Sequence, residues 1–370
     1  MLGIPQAYWE HCDYGFIDFI SMIHKDLVSV TLVTYNSGRF IRRCLESVLE
    51  QSYPHLEVIV IDNASTDGTA DILEQFEDKC SIHYNEKNIG FAAAQNQAIA
   101  ISSGEWTLAL NPDVLLLKDF IEELVLAGSL DRKVGSVCGK LLSISANFDL
   151  PEEQLVDSTG IYFTPMLRHL DRGSQEPDRG HYLNFEYVFG ATAAAALYRR
   201  KMILDISVKG EFFDSDFFVY REDADVAWRA QLMGWRCLYT PQACGYHVRN
   251  VLPGKRHALP AEINMHSVKN RFLMRIKNMT PDLYRRNWMA ITGRDLLVIG
   301  ACLLREHSSL RAFAFVLRNW KSVLEKRREI MSRRRVQDHD LASWFSFQPV
   351  SRPAPKPRSR ANIRVRSART

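Results

Sequence analysis

Short apolar runs and helix-forming stretches alternate from residue 28 onward, and this alternation limits the fold more than any other feature of the sequence. "VSVTLVTY" is β-branched and uninterrupted, as a strand buried on both faces should be, and "SGRFIRRCLESVLEQ" places its apolar residues on one helical face. The order repeats in "LEVIVIDN", "TDGTADILEQF", "SIHYN", "GFAAAQNQAIAIS" and "EWTLALN". The pattern predicts an α/β fold with a mostly parallel central sheet wrapped by helices on both faces.

Polar residues follow these predicted strands at the point where each strand ends. They are Thr34, Tyr35 and Asn36 after the first strand, Asp62 and Asn63 after the second, Asn88 after the third, and Asn111 and Asp113 after the fourth. For any one of them a loop or helix-cap role is the simpler explanation, as it is for the turn at Asp67 and Gly68. Because the carboxyl ends of parallel strands converge on one crevice, the shared position of the whole set indicates a ligand site.

A cluster of three carboxylates lies behind a run of aromatic residues in "FVYREDADVAWR", residues 218 to 229. Glu222, Asp223 and Asp225 could be the acidic first turn of a helix, where the helix dipole favours negative charge. They could equally be functional carboxylates in a cleft. The cluster alone does not decide between these interpretations.

Two further residues leave a structural and a functional interpretation open. Gly190, in "YVFGATAAAALYRR", lets the backbone approach either another strand or a ligand. His247 ends the predicted last strand, "RCLYTPQACGYHVR", where a histidine can be structural or can face a ligand. Between these elements and the first four strands the periodicity weakens, which predicts loops and short strands from residue 145.

The composition is that of a globular chain, with 46% apolar and 24% charged residues among 370. This length allows a domain of roughly 250 residues and an appendage. Seven widely spaced cysteines without a CxxC pair argue against a disulfide framework and a zinc knuckle, and they indicate reduced cytosolic thiols.

Neither end of the chain predicts a secretion signal or a membrane span. Residues 1–25 carry acids where a signal peptide would have an uninterrupted apolar core, and the sequence leaves open whether translation starts at Met1 or Met22. The longest C-terminal apolar run, "LLVIGACLL" at residues 296–304, is about half the length needed to cross a bilayer.

Basic amphipathic helices are predicted for residues 267–345. In "SLRAFAFVLRNWKSVLEKRREI" apolar residues recur at helical spacing and basic residues take other positions. Such helices can pack against the core domain, lie on a membrane surface whose acidic lipids attract Lys and Arg, or do both. Residues 346–370, rich in Pro and Arg, are predicted to be a disordered basic tail.

Six motifs occur in a fixed order between residues 33 and 229: "VTYNS", "VIVIDNASTDGT", "NIGFAAAQNQA", "LNPDV", "VFGA" and "FFVYREDADVAWR". In this order they resemble the family 2 glycosyltransferases, in particular the rhamnosyltransferase-like branch of bacterial polysaccharide biosynthesis. The resemblance implies a GT-A fold, a nucleotide-sugar donor, a divalent metal and transfer with inversion. It makes residues 27–266 the catalytic domain, preceded by an N-terminal extension over residues 1–26.

The resemblance also assigns roles to single residues. "NPD" takes the place of the family's DxD element, so Asp113 is implied as a ligand of Mg²⁺ or Mn²⁺, with Asn111 in place of the first acid and His247 facing the diphosphate. Asp62 is implied to bond the nucleobase. The other implied donor-binding residues are Thr34, Tyr35, Asn36, Asp67, Asn88, Gly90, Phe91, Asn111 and Gly190.

Within the acidic cluster, the resemblance makes Asp223 the general base that takes the proton from the acceptor hydroxyl. Glu222 is implied to orient the base or the acceptor. Asp225 and Arg229 are expected to tie the helix into the structure, and the preceding aromatics to exclude water.

The branch suggests dTDP-L-rhamnose as donor and a cell-surface glycan or its polyprenyl-diphosphate-linked precursor as acceptor. A UDP-hexose or UDP-N-acetylhexosamine donor stays an alternative, as does an inactive nucleotide-binding or scaffold protein. A dinucleotide-binding enzyme is disfavoured because "NSG" follows the first strand where a G-x-G-x-x-G turn would be needed. We expect a cytoplasmic protein on the inner face of the cell membrane, without a nucleic-acid partner and with its oligomeric state left open.

Overall fold

The computed structural model describes residues 24–249 and 260–356. Most of the predicted N-terminal extension and residues 357–370 of the predicted tail lie outside the described residues, as does Met22. The first strand, β1, begins at His24, where its pairing with Gly104 starts, so the sheet begins slightly before residue 27.

The first half of the chain contains the strands and helices that the sequence predicts. They are β1 (His24–Thr34), α1 (Ile41–Leu49), β2 (Leu56–Asp62), α2 (Thr69–Leu73), β3 (Ser81–Tyr84), α3 (Phe91–Ile101) and β4 (Gly104–Leu110). β1 pairs in parallel with β2 and with β4, and β2 pairs in parallel with β3. The predicted α/β order with parallel strands is therefore confirmed.

The second half adds further strands and helices, and several of its strands are only three residues long. They are β5 (Val114–Leu116), α4 (Phe120–Gly128), β6 (Val134–Ser143), β7 (Val156–Ser158), β8 (Ile161–Phe163), β9 (His169–Asp171), β10 (Glu186–Val188), β11 (Ala195–Arg199), α5 (Arg200–Ile206), α6 (Glu222–Leu232) and β12 (Arg236–His247). β11 lies antiparallel between β4 and β6, and β12 lies parallel to β6. β8 and β9 form a separate two-stranded ribbon.

Hydrophobic clusters lie on both faces of this sheet. On one face α1 buries Ile41, Cys44, Leu45 and Val48, the stripe that its sequence predicts, next to Phe120 of α4. On the other face Trp228 of α6 packs against Phe163 and Phe345 with ring centroids 5.1 and 5.2 Å apart. The six described cysteines are all free, which agrees with their interpretation as reduced thiols.

The C-terminal region is helical as predicted, but it begins earlier. It consists of α7 (Ala261–Asn278), α8 (Pro281–Leu304), α9 (Arg311–Arg318), α10 (Trp320–Ser332) and α11 (Asp338–Ala342). Two buried lysines, Lys277 of α7 and Lys326 of α10, both donate to the buried carboxylate of Asp214. Packing against the core domain is therefore confirmed for α7 and α10.

Helix α8 differs from its prediction. It is 24 residues long with non-helical dihedrals at Asn287, and the apolar run 296–304 is only its second half. Its most apolar window has a mean hydropathy of 1.2 and is 11% buried, so by length and composition alone α8 is the described helix that could cross a membrane.

The described part of the predicted tail is ordered up to residue 356. The N–H of Ser346 donates to the carbonyl of Phe163, and a short strand, β13 (Arg352–Pro353), pairs antiparallel with β10. The predicted boundary at residue 346 is therefore too early. These backbone hydrogen bonds hold a segment whose composition alone predicts disorder.

Candidate active site

The loops after β1 and β2 are joined by side-chain hydrogen bonds. Asn36, at a left-handed φ of 51°, accepts the N–H of Thr66 at 2.8 Å, and its own N–H donates to Ser65 Oγ at 2.8 Å. The buried carboxylate of Asp62 accepts both the N–H and the hydroxyl of Ser65, at 3.0 and 2.5 Å. Tyr35, in the loop after β1, is exposed next to these hydrogen bonds. Thr34 is fully buried, so its side chain faces the protein and does not line a crevice.

Asp67 anchors a loop. One carboxylate oxygen accepts the N–H of Gly38 at 3.0 Å and the other accepts the hydroxyl of Thr69 at 2.5 Å. Burial raises the pKa of Asp67, but the hydrogen bonds from Thr69 and Gly38 outweigh it and hold that pKa below its ordinary value. The carboxylate is thus ionised and already engaged with the loop.

Asn88 shapes the start of α3. Its side chain accepts the N–H of Gly90 at 2.9 Å. Gly90 has a φ of 88°, and a Cβ placed there would lie 2.5 Å from the ring of Phe218, so only glycine fits. Phe91 packs against Phe213 with ring centroids 6.0 Å apart. Gly90 therefore joins the third strand end to the segment that precedes the acidic cluster.

Asp113 and His247 lie together, as the sequence predicts. Nε2 of His247 is 3.3 Å from a carboxylate oxygen of Asp113, and its Nδ1 is 2.8 Å from Asp157. Burial lowers the pKa of His247, but the charges of Asp157 and Asp113 outweigh it and raise that pKa to about 10. Asp157 was not predicted, and a carboxylate on the far nitrogen is the arrangement that orients metal-binding histidines.

A second ion pair extends this group toward the acidic cluster. Arg249 lies 2.7 Å from Asp157 and 2.7 Å from Asp171. Asp171 is close enough to Asp223 for its charge to raise the pKa of Asp223.

Asp223 lies in the first turn of α6 and is partly exposed. Its carboxylate accepts the N–H of Ala224 at 2.7 Å and the N–H of Ala193 at 3.3 Å. Burial and the charge of Asp171 outweigh these hydrogen bonds and raise its pKa to about 6. The carbonyl of Ala194 accepts the N–H of Asn111 at 2.9 Å, which links Asp223 to the end of β4.

Glu222, next to Asp223, is buried, and its Oε2 makes no hydrogen bond with a described residue. Burial and the charge of Asp223 raise its pKa well above the ordinary value. Of these two carboxyls, Asp223 is therefore the one better suited to accept a proton near neutral pH.

The segment before the cluster has unusual backbone geometry. Phe218, Tyr220 and Arg221 all have positive φ, between 64° and 73°, a conformation that costs non-glycine residues on the order of 1 kcal/mol or more each. Asn270 of α7 holds this segment, because its Nδ2 lies 2.7 to 2.8 Å from the carbonyl oxygens of Phe217, Val219 and Tyr220. Helix α7 is thus a support of the acidic cluster.

Asp225 and Arg229 have the structural role that the sequence predicts. Arg229 Nε donates to the fully buried Asp225 at 2.9 Å, and its other nitrogens donate to carbonyls of Ile206 and Phe212. Gly190 is explained by packing, since a Cβ there would lie 2.2 Å from Cβ of Ala227 in α6. Its predicted contact with the donor gains no support from this geometry.

The predicted residues fall into two linked groups. One joins the ends of β1, β2 and β3; the other joins Asp113, His247 and Asp223 through Asp157, Arg249 and Asp171. Asp157 and Asp171 come from short strands, where the weak periodicity of "LVDSTG" and "RHLDRG" concealed them, and Arg249 follows the end of β12. Acids in an otherwise buried, Gly-containing stretch are the signal that could have indicated them.

Residues 29–206 match the family model described as glycosyl transferase family 2. The match ends before Asp223.

Three relatives share parts of the sequence. TuaG of Bacillus subtilis, named as a teichuronic acid biosynthesis glycosyltransferase, is 41% identical over 102 residues, which is 27% of this chain and 40% of TuaG. Glycosyltransferase GlyG of Streptococcus pneumoniae is 30% identical over 27% of this chain and 34% of its own. The poly-beta-1,6-N-acetyl-D-glucosamine synthase of Staphylococcus epidermidis is 24% identical over 58% of this chain and 48% of its own. The chain thus spans less than half the length of these relatives.

Among solved structures, S. aureus TarS covers 83% of this chain and 55% of its own, with 18% identity and a TM-score of 0.50. A shorter TarS, residues 1–349 in complex with UDP-GlcNAc, covers 83% of this chain and 90% of its own, with 16% identity and a TM-score of 0.50. At such identity the likeness concerns the fold. Residues 29–206 therefore resemble a glycosyl transferase family 2 domain, and the chain has the GT-A fold.

Proposed function

We propose that the protein is an inverting glycosyltransferase that acts on a bacterial cell-surface glycan or its lipid-linked precursor. The observation that carries this proposal is the partly exposed carboxylate of Asp223, whose pKa of about 6 suits a general base and whose hydrogen bond to Ala193 connects it to the strand ends. The family 2 domain and its relatives in polysaccharide synthesis support the same reaction class.

The proposed reaction assigns one proton transfer to this chain. The Asp223 carboxylate accepts the proton of the acceptor hydroxyl while that oxygen bonds to the anomeric carbon of the donor. The bond from this carbon to the diphosphate oxygen breaks on the opposite face, so configuration inverts. Asp223 ends protonated and returns its proton to water.

A divalent metal fits the residues present. Asp113 would supply a carboxylate oxygen. The raised pKa of His247 favours the protonated ring, so a metal would have to displace the Nε2 proton before that nitrogen could bind it, with Asp157 fixing the ring. These donor types suit Mn²⁺ or Mg²⁺ together with phosphate oxygens. No group of three or more His, Cys, Asp or Glu placed to hold a metal occurs among the described residues. Donor oxygens would therefore complete the coordination. When bound, the metal would neutralise charge on the leaving diphosphate.

The donor proposed first is dTDP-L-rhamnose, because the six ordered motifs resemble the rhamnosyl branch. A UDP-linked hexose or N-acetylhexosamine is the second candidate, since the TarS structure of similar fold holds UDP-GlcNAc. The test is a donor screen of the purified protein with Mn²⁺ or Mg²⁺, with release of nucleoside diphosphate as the readout. Release from none of the donors, with or without a lipid-linked acceptor, would favour the inactive nucleotide-binding alternative.

The rate should depend on pH through Asp223. Because only its ionised form accepts a proton, we expect kcat/KM to rise with pH through about 6 and to be lost as pH falls below that value. Asp171→Asn should move this midpoint to lower pH, since it removes a neighbouring negative charge. A pH–rate profile of both proteins checks this, and an unchanged midpoint in the variant would contradict the role of Asp171.

Removing the Asp113 carboxylate should weaken metal and donor together. We expect Asp113→Ala to lower affinity for Mn²⁺ and for nucleoside diphosphate by at least about tenfold, and EDTA to reproduce the loss in the unchanged protein. Asp71→Ala, an exposed acid on α2, is the matched control and should change neither. Full activity in EDTA with no added cation would remove the metal from the proposal.

Membrane contact is proposed through α8 and its neighbours at the inner face of the cell membrane, with the protein otherwise cytoplasmic. Large apolar side chains of α8 are exposed, among them Met289, Leu297 and Leu304. Such a surface gains free energy on entering a lipid interface.

A further inference from the structure

Four arginines meet at one small cavity between the β8–β9 ribbon, α7 and α8. The cavity has a volume of about 180 Å³, and its wall contains Arg168, Arg221, Arg271, Arg294, Ser267 and Val298. It lies outside the group formed by Asp113, His247 and Asp223. Nothing in the proposed reaction so far uses it.

Positive charge exceeds negative charge around this cavity. Asp295 accepts a hydrogen bond from Arg271 at 3.2 Å and also pairs with Arg275, so one carboxylate serves two guanidinium groups. Burial and the charge of Arg275 lower the pKa of Arg271 to about 10. Within the described residues, no carboxylate lies within ion-pair distance of Arg168 or Arg294.

Arg294 adds an independent observation. Its Nε–H is buried and makes no hydrogen bond to a described protein atom. A buried donor without an acceptor costs about 1 to 3 kcal/mol, more when the group is charged. An anion bound in the cavity would supply the acceptor and balance the charge.

The position of the cavity relates it to the base. Arg221 is the residue immediately before α6, and Asp223 follows two positions later, so their Cα atoms are within about 7 Å. On its other side the cavity borders α8, where Leu296 and Leu297 are exposed next to Arg294. A cationic cavity thus borders an exposed apolar helix face, and one of its arginines is two residues from the base in the chain.

We infer that this cavity binds the diphosphate headgroup of an amphiphilic acceptor, with the apolar chain lying along the exposed face of α8. Guanidinium groups bind phosphate oxygens through paired, charge-assisted hydrogen bonds. The acceptor hydroxyl would then be held on the side of α6 that carries Asp223. This inference rests on the proposed function, because the bound amphiphile is an acceptor only if the protein is a glycosyltransferase.

The test measures binding without any sugar donor, so its failure is distinct from failure of the transferase proposal. Farnesyl diphosphate and inorganic pyrophosphate are titrated calorimetrically into the full-length protein and into Arg168→Gln/Arg294→Gln, with UDP titrated separately. We expect the double variant to bind farnesyl diphosphate at least about tenfold more weakly, since charge-assisted hydrogen bonds contribute on this scale, and to bind UDP unchanged. Arg285→Gln, an exposed arginine on the same helix, is the matched control and should behave as the unchanged protein.

Each other outcome overturns the inference. Equal affinity for farnesyl diphosphate and pyrophosphate would assign the cavity to a free phosphate compound. Weaker UDP binding in the double variant would assign it to the donor. Farnesyl diphosphate binding that does not depend on Arg168 and Arg294, or that is absent from the unchanged protein, would remove the site.

Discussion

Asp223→Asn is expected to lower the rate of sugar transfer by about 10² to 10⁴, the usual contribution of a positioned general base. The asparagine side chain has nearly the same shape and its oxygen can still accept the N–H of Ala193, so folding should be retained. Donor affinity should be nearly unchanged, because the base acts on the acceptor. Single-turnover transfer and nucleotide titration, performed on the same preparation, separate the two effects.

Glu222→Gln is the matched comparison. Since burial and the Asp223 charge raise the pKa of Glu222 well above its ordinary value, the neutral glutamine resembles the protonated carboxyl that this shift favours, and this variant should retain most of the activity. If Glu222→Gln were inactive while Asp223→Asn turned over normally, the base would be Glu222. Comparable activity in both variants would move the base outside this cluster.

Asp214→Asn is expected to destabilise the protein by about 3 kcal/mol, the lower end of the range for breaking a buried ion pair. The asparagine can still accept the N–H of Asp216, so the loss of stability measures the effect of removing the negative charge. Lys277 and Lys326 stay buried but each keeps one other carboxylate, Asp225 at 3.0 Å and Asp216 at 2.8 Å. Urea unfolding measures the change.

Glu325→Gln is the control for this second variant. Glu325 also joins α10 to the core domain, through Lys209 at 3.2 Å, but both groups are about half exposed, so the change should be within about 1 kcal/mol. Burial raises the pKa of Asp214, yet the two lysines outweigh it and hold that pKa below 3.8. The stabilisation that the Asp214 carboxylate provides is therefore complete above pH 3.8 and declines as pH falls from 3.8 toward the lowered pKa. Equal losses of unfolding free energy in Asp214→Asn and Glu325→Gln would contradict the idea that burial makes the Asp214 ion pairs the more important ones.

The sequence predicted the strands and site residues that can be recognised from a short stretch of chain alone. The runs of β1 and β2 are rich in β-branched residues. Asp62 is the last residue of β2 and Asp113 follows β4 by three positions, so position along the chain also indicates position in space. The family resemblance implies both Asp113 and His247 as metal ligands, and the structure brings the two side chains together.

The remaining site residues depend on tertiary neighbours. Asp157 and Asp171 lie in strands of three residues, too short for a periodic signal. Asn270 lies in a helix that composition assigns to a basic surface region, and only its contact with the carbonyls of residues 217–220 reveals its support of the acidic cluster. The predicted donor contact of Gly190 gains no support for a different reason. A small residue indicates that another group comes close to the backbone, but it does not identify that group.

The order of strands has a consequence for synthesis of the chain. β12 lies between β6 and β10 in the sheet although more than ninety residues separate the end of β6 from its start, and β13 then pairs on the outside of β10. Until β12 leaves the ribosome, the almost wholly buried β6 has an unpaired edge. Pairings of such high contact order form slowly, and exposed strand edges recruit other chains. Nascent chains that stall before residue 247 should therefore be the aggregation-prone species and the main clients of chaperones.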